Sequence, residues 1–549
     1  MKNRSTRIIT DTLKKHRTSV VVILVCILII TAFNYYLPFF SQRLIDNGFI
    51  RNDLSVIIQC ASAVFILKLL SAFVTVIKQR KAFLMNIEFK TDMQTKALDH
   101  LLAVQMDYFT SQNSTSTYQC IQEDIESISA LVSESTINAV TSVLSAVGGA
   151  VALFTINSRL ALAVVLVAPV NIVVSNWFIK KNRICLQKTL FLKRSFSRWF
   201  GESLNGVKEI RLFDLQERKK AEMEQQLREL KDTHYKSMML RNYSSQVQLI
   251  MTEFLKAFIY ILAGLILLKG GISVGSVVAF QSYMFMVASS EATVISLLFT
   301  FFSAVPNIRR FQDFLDYPEE KSSKEHIAFS KGSIQFKKVS FSYNNEKQVL
   351  KDLDFKLPVR SKTAIVGDNG VGKTTFLNLL LRLFEPSDGE ICINGKSIQA
   401  LELREYRQLF SVVSQNVFLF NESIRYNICL DKDIPDELLE EIIKDVHLDD
   451  IVSQRGLDYE VGENGSHLSG GQKQKIALAR AIIQNRPIVL FDEATSNLDK
   501  DTINCFRKLF SSRLRDATVL CVTHSDSLAD IFDHRLLLRN GKGHLCRIR

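Results

Sequence analysis

The run Gly367-Asp368-Asn369-Gly370-Val371-Gly372-Lys373-Thr374 concentrates residues whose types and spacing suit phosphate chemistry. A short apolar strand, Thr363 to Val366, leads into it, and a helical run, Thr375 to Phe384, leaves it. Glycines at Gly367, Gly370 and Gly372 let backbone amides close around a phosphate, and the following helix adds the positive end of its dipole. Lys373 can reach the β and γ phosphates and the Thr374 hydroxyl can ligate Mg²⁺, with Asn369 and Thr375 in the same cradle. Downstream, the unbroken apolar stretch Ile488-Val489-Leu490-Phe491 suits a buried parallel strand and ends in Asp492-Glu493. A carboxylate at Asp492 can hold Mg²⁺ directly or through water, and Glu493 can orient and polarise an attacking water. Between these two elements in the chain, Leu468-Ser469-Gly470-Gly471-Gln472 opens a helical run from Gln472 to Gln484. Ser469, Gly470 and Gly471 then present free amides at a helix N-terminus, a second anion site with nothing nearby in sequence to fill it.

These residues need a twisted, mostly parallel sheet to hold them. Residues 331 to 549 have the pattern for one, alternating short apolar strands with polar turns and helices. Residues 1 to 320 differ, carrying long apolar runs, with 321 to 330 expected as a linker. A chain of 549 residues is too long for one core, and 47% hydrophobic content excludes a disordered, collagenous or small disulfide-stapled protein. The net charge of +12 comes without a basic face bearing base-stacking or groove-reading elements, so no nucleic-acid partner is expected. Cytoplasmic Lys and Arg flanking membrane spans account for it.

A hydrocarbon core about 30 Å thick takes about 20 apolar residues in a helix. Stretches meeting that requirement are Ser19 to Phe40, Leu54 to Ile77, Ser135 to Ile156, Leu160 to Ile179, Val247 to Leu268 and Val274 to Val305. Basic residues flank the N-terminus (Lys14, Lys15, Arg17) and follow the second (Lys78, Arg80, Lys81), fourth (Lys180, Lys181, Arg183) and sixth spans (Arg309, Arg310). That bias predicts both termini on the inner side. Polar helical segments such as Ile87 to Leu102 and Phe191 to Leu230 should project beyond the bilayer. The nine cysteines show no CxxC pair or zinc spacing and are expected to be reduced.

With Tyr343 after the strand end Phe341-Ser342, Gln415 in Val412-Val413-Ser414-Gln415, Ser496-Asn497-Leu498-Asp499, and His524 in Val522-Thr523-His524, the chain closely resembles the ATP-binding cassette family over nearly its whole length. The resemblance implies a six-helix membrane domain of the type IV exporter kind fused to an α/β P-loop cassette, hence a half-transporter using ATP and Mg²⁺. It implies that Tyr343 stacks on adenine, Gln415 senses Mg²⁺ and nucleotide, Glu493 is the general base and His524 contacts the γ phosphate. It also implies that Ser469, Gly470, Gly471 and Gln472 serve the ATP of a second cassette, with Asp499 at the seam. The partner is then a second copy or a sibling half-transporter. Candidate coupling segments to the cassettes are Tyr108 to Ser116 and Lys208 to Leu215.

The expectation is an integral, multi-pass protein of a cell membrane, the inner or plasma membrane, with its ATPase domain cytoplasmic. It should export an amphipathic or hydrophobic compound (peptide, lipid or drug-like) by alternating access. Relatives of the same architecture that import metal-siderophore complexes, and non-transporting regulatory ATPases, supply the alternatives. Within the spans Glu291 stands alone in Val287 to Leu298 and is expected to face a cavity or partner and to line the substrate path, whereas Glu253 and Lys256 should pair along one helix face.

Overall fold

The computed structural model describes residues 16–110, 114–326, 333–343, 348–493, 500–523 and 530–548. The chain divides into two compact units, one of residues 1–104 and 108–317, the other of residues 105–107 and 318–549.

The first unit is helical: α1 (Arg17–Arg43), α2 (Leu54–Ala103), α3 (Ser114–Ser129), α4 (Glu134–Ile156), α5 (Ser158–Asn205), α6 (Val207–Leu212), α7 (Gln216–Leu268) and α8 (Val274–Leu315). Among the described residues, six helical stretches are long and apolar enough to cross a membrane. Polar caps set the short turns between them. Asp53 accepts from the amides of Ser55 and Val56 ahead of α2, and Asn157 accepts from those of Arg159 and Leu160 ahead of α5. The start of α8 is capped by Ser273 and by Asp46, which accepts from the Gly275 amide at 2.8 Å. An added Cβ at Gly275 would lie 2.5 Å from the Gln42 carbonyl, so only glycine lets that approach form. Where α4 meets α8, a Cβ on Gly149 would fall 2.6 Å from Met286, the close helix contact that small residues permit in membranes.

Beyond the apolar stretches the helices run on. At 1.5 Å per residue the 50 residues of α2 span about 75 Å, more than twice the hydrocarbon thickness. α8 continues past Val305 to Leu315, while the segment 191–230 is broken into the ends of α5 and α7 around α6. These extensions have their own core, in which Phe89 and Met93 meet Ile121, Ile125, Phe311 and Phe314. Arg310 locks it through a bidentate pair with Asp124, which is only 2% exposed.

In the second unit β3 (Lys362–Val366) lies inside a six-stranded sheet of order β10-β9-β3-β8-β7-β6, beside an antiparallel sheet of order β2-β1-β4-β5. The strands are β1 (Ser333–Ser342), β2 (Gln348–Pro358), β4 (Asp388–Ile393), β5 (Lys396–Ser397), β6 (Phe410–Val413), β7 (Ile488–Asp492), β8 (Thr518–Val522), β9 (His534–Arg539) and β10 (Lys542–Arg547). The central strands pair in parallel, and every residue of β7 and β8 is buried, as strands covered on both faces must be. Alternate side chains divide between two cores. Val489, Phe491 and Val519 pack with the helix α10 (Gly470–Ile483) and with α11 (Lys500–Ser511), whereas Ile488, Leu490 and Leu520 pack with α9 (Lys373–Leu380) and the antiparallel sheet. The stretch 321–326 packs on this unit: Glu325 bridges to Leu401, and Lys321 pairs with Glu385.

Candidate functional site

β3 and β7 bring the sequence-distant elements together, with β8 between them. Both strands point their carboxyl ends at one edge, the position where open parallel sheets bind ligands. The loop after β3 enters α9 at Lys373, two residues earlier than the sequence pattern indicates, because Gly372 is the N-cap and carries no side chain to cap the helix. The amides of the first turn are thus left for a ligand. Gly372 has φ +106°, and a Cβ there would lie 2.9 Å from Leu350 Cδ2. A Cβ on Gly367 would meet the Leu538 carbonyl at 2.4 Å. Both glycines are therefore demanded by geometry. Lys373 is buried and folds over this loop, its ammonium donating to the carbonyls of Gly367 (2.9 Å) and Asp368 (3.2 Å).

The Thr374 hydroxyl donates to Asp492 at 3.4 Å, so the two residues read as metal ligands stand together. Burial pushes the Asp492 carboxyl above the usual carboxylate range, against the pull of the Thr374 hydrogen bond. A hydroxyl and a buried carboxylate are hard oxygen ligands of the kind Mg²⁺ takes, with other positions filled by phosphate and water. Among the described residues no group of three or more His, Cys, Asp or Glu could hold a metal alone. Gln415, just past β6, donates from Nε2 to Glu493 Oε2 at 2.6 Å. Glu493 has φ +49°, a left-handed turn that ends β7 and swings its carboxylate towards Gln415. Sequence reading named both residues but gave no sign of this bond, which arises because β6 and β7 are neighbours.

Tyr343 is half-buried edge-on between Phe341 and Phe384, with ring centroids 4.8 and 5.4 Å away. Its hydroxyl shares a hydrogen bond with Thr375 at 3.0 Å, which ties the aromatic to the phosphate loop. Asn369 and Gly370 are exposed at the loop tip, where Gly370 has φ +76°. His524 and Asp499 lie outside the described residues.

Ser469 caps α10, which starts at Gly470 rather than Gln472, and the box is reciprocal: the Ser469 hydroxyl accepts from the Gln472 amide and Gln472 Oε1 from the Ser469 amide. Gly470 and Gly471 are exposed, neither has positive φ, and a Cβ on either would meet nothing within 4 Å. Neither backbone conformation nor packing among the described residues accounts for the two glycines.

Comparison with known proteins agrees with this geometry. The family described as "ABC transporter transmembrane region" matches residues 20–290, and "ABC transporter" matches residues 350–496. The chain is 27% identical over 544 residues to the "Uncharacterized ABC transporter ATP-binding protein YfiC" of Bacillus subtilis, covering 96% of this chain and 89% of that protein. It is 25% identical over 507 residues to the "ATP-dependent lipid A-core flippase" of Pectobacterium atrosepticum, covering 91% and 87%. It is also 25% identical over 464 residues to the "Putative multidrug export ATP-binding/permease protein YgaD" of Bacillus subtilis, covering 82% and 79%. A solved bacterial Atm1-family ABC exporter with ATP bound superposes with a TM-score of 0.87 at 22% identity, covering 97% of this chain and 95% of that one, a likeness of fold. With six helices fit to cross a membrane ahead of a single nucleotide cassette, this integral membrane protein belongs to the ATP-binding cassette transporters and has the architecture of an exporter-type half-transporter.

Proposed function

We propose that the chain hydrolyses ATP as one half of a pair of half-transporters and uses the cycle to export an amphipathic compound. The observation that carries this reading is the open pair Gly470 and Gly471, small for no reason found among the described residues and set at a capped helix N-terminus. A phosphate held by the Gly367–Thr374 loop of a second copy, or of a sibling half-transporter, supplies the missing reason.

In this reading the loop amides and Lys373 bind the β and γ phosphates, and Tyr343 stacks on the base. Mg²⁺, when bound, neutralises phosphate charge from a position held by Thr374, Asp492 and Gln415. Glu493 accepts the proton of the attacking water, oriented by its bond to Gln415, and His524 contacts the γ phosphate. Ser469, Gly470, Gly471 and Gln472 close on the partner's nucleotide, with Asp499 at the seam. Closure of two cassettes in the ATP-bound state favours one arrangement of the spans and hydrolysis releases it, so transport follows from differential affinity for ATP. Both termini and the cassette lie in the cytoplasm beneath the cell membrane.

An amphipathic cargo is supported by relatives named for lipid and multidrug export. Uptake into inverted vesicles tests it. ATP-dependent accumulation of a fluorescent amphiphile that stops with Glu493→Gln is the expected result, and efflux or absence of movement overturns export.

A further inference from the structure

Glu291 on α8 does not stand alone. It accepts a hydrogen bond of 3.2 Å from Nδ2 of Asn171 on α5. Asn171 is only 5% exposed. On α5 it falls between Val164 and Phe178, two turns from each, and on α8 Glu291 lies between Met284 and Ile295. Those four residues belong to two apolar clusters that α5, α7 and α8 share, so the polar pair interrupts a packed seam. Asn171 Oδ1 and Glu291 Oε1 are both inaccessible to solvent and have no donor among the described residues.

Two acceptors left together in an apolar seam call for a shared donor. Flipping the Asn171 amide cures nothing, since it would set oxygen against Glu291 Oε2. Neighbouring hydroxyls are already committed to backbone: Ser289 and Ser290 donate to the Met286 carbonyl and Thr293 to that of Ser289. The Gln248 amide donates to Ser175 and Ser244. Ionisable groups elsewhere in the apolar stretches of these helices do not supply it: Glu253 and Lys256 pair with each other, and the Tyr283 hydroxyl donates to the Tyr35 carbonyl. Tyr260 is 43% exposed.

We propose that Glu291 and Asn171 form a subsite for the N–H groups of a protonated amine, which makes the cargo class amphipathic primary and secondary amines. This rests on the export reading and narrows it. An ammonium gives both oxygens a donor and the carboxylate a counter-charge. Without it, a proton on Glu291 Oε1 can donate to Asn171 Oδ1. Binding then exchanges one cation for another: the ammonium keeps its own hydrogens, the carboxyl proton leaves to water, and a carboxylate remains.

Tryptophan fluorescence titrations of the full-length protein in nanodiscs test this with dodecylammonium, dodecyltrimethylammonium and dodecanol. The first offers charge and N–H, the second charge alone, the third neither. Dodecylammonium should half-saturate at a concentration about tenfold or more below the other two, and Glu291→Gln should bring all three within about twofold. Infrared difference spectra of the unmodified protein should show a protonated-carboxyl band lost on adding dodecylammonium. That readout stands if the variant misfolds. A preference that survives Glu291→Gln, equal binding of the three, or a band unmoved by the amine overturns the subsite and leaves export untouched. Failure of all three to bind overturns the subsite, whereas the export reading falls only on the vesicle assay.

Discussion

Replacing Glu493 by Gln separates chemistry from architecture at the carboxylate that receives the Gln415 amide. The bond is 2.6 Å from Gln415 Nε2 to Glu493 Oε2, and an amide of the same shape still offers an oxygen there. The change exchanges a charge-assisted bond, about 1.5–3 kcal/mol, for a neutral one of about 0.5–1.5. The loss centres on about 1 kcal/mol and cannot exceed about 2.5, and screening reduces it further because Glu493 is partly exposed. The left-handed φ of +49° costs Gln as much as Glu, so backbone strain is unchanged. Removing a positioned base, by contrast, slows hydrolysis by about 10²–10⁴, which is about 2.7–5.4 kcal/mol in the barrier. Phosphate release at saturating ATP and thermal unfolding, measured on one preparation, should therefore diverge: turnover falls at least a hundredfold, by about the low end of that range, while the unfolding midpoint barely moves. Turnover within about tenfold of the parent, or a comparable collapse of both, would refute the assignment.

Gly372→Ala and Gly471→Ala form a contrasting pair. The first forces a Cβ to 2.9 Å from Leu350 Cδ2 at φ +106°, costing about 1–3 kcal/mol and weakening nucleotide binding in each copy by about tenfold or more. The second meets nothing within 4 Å, so stability should hold within about 0.5 kcal/mol and ATP should still bind while hydrolysis fails; unimpaired hydrolysis would remove the partner's approach to this helix. For Asp492 the sign follows from burial, which raises its carboxyl above the ordinary 3.8. The charged form is disfavoured in the unliganded fold, so that contribution to stability is present at low pH and lost as pH rises through the raised range. Mg²⁺ needs the carboxylate, hence Mg²⁺ enhancement of nucleotide affinity should begin to fall, on acidification, above the ordinary carboxylate range; a flat titration down to that range contradicts it. Asp124→Asn leaves Arg310 only its longer pair with Glu123 at 3.8 Å and should destabilise the helical unit by about 2–3 kcal/mol, whereas Asp124→Leu with Arg310→Met should be nearly neutral in chemical denaturation.

The spans and the phosphate loop were legible because their signals are local: an apolar run long enough for a bilayer, or glycines whose spacing matches a backbone cradle. Element ends were less so. Gly372 and Ser469 cap their helices, which puts α9 at Lys373 and α10 at Gly470, ahead of the apolar periodicity that marks their interiors. Pairings across the fold left no trace in the sequence. Gln415 meets Glu493 through strand order, and Asp124 meets Arg310 through helix packing across 186 residues. Asn171 is a partial exception, since an amide in the apolar run from Leu160 to Ile179, which also holds Asn176, invites the same question as Glu291. What could not be read was that the two answer each other.

Turnover per chain in nanodiscs loaded with one copy or two tests the shared site most directly. If each ATP is completed by a neighbour's Ser469-Gly470-Gly471, two-copy discs should hydrolyse ATP and single-copy discs should fall at least about a hundredfold lower while still binding it. Equal turnover per chain in both would contradict the account.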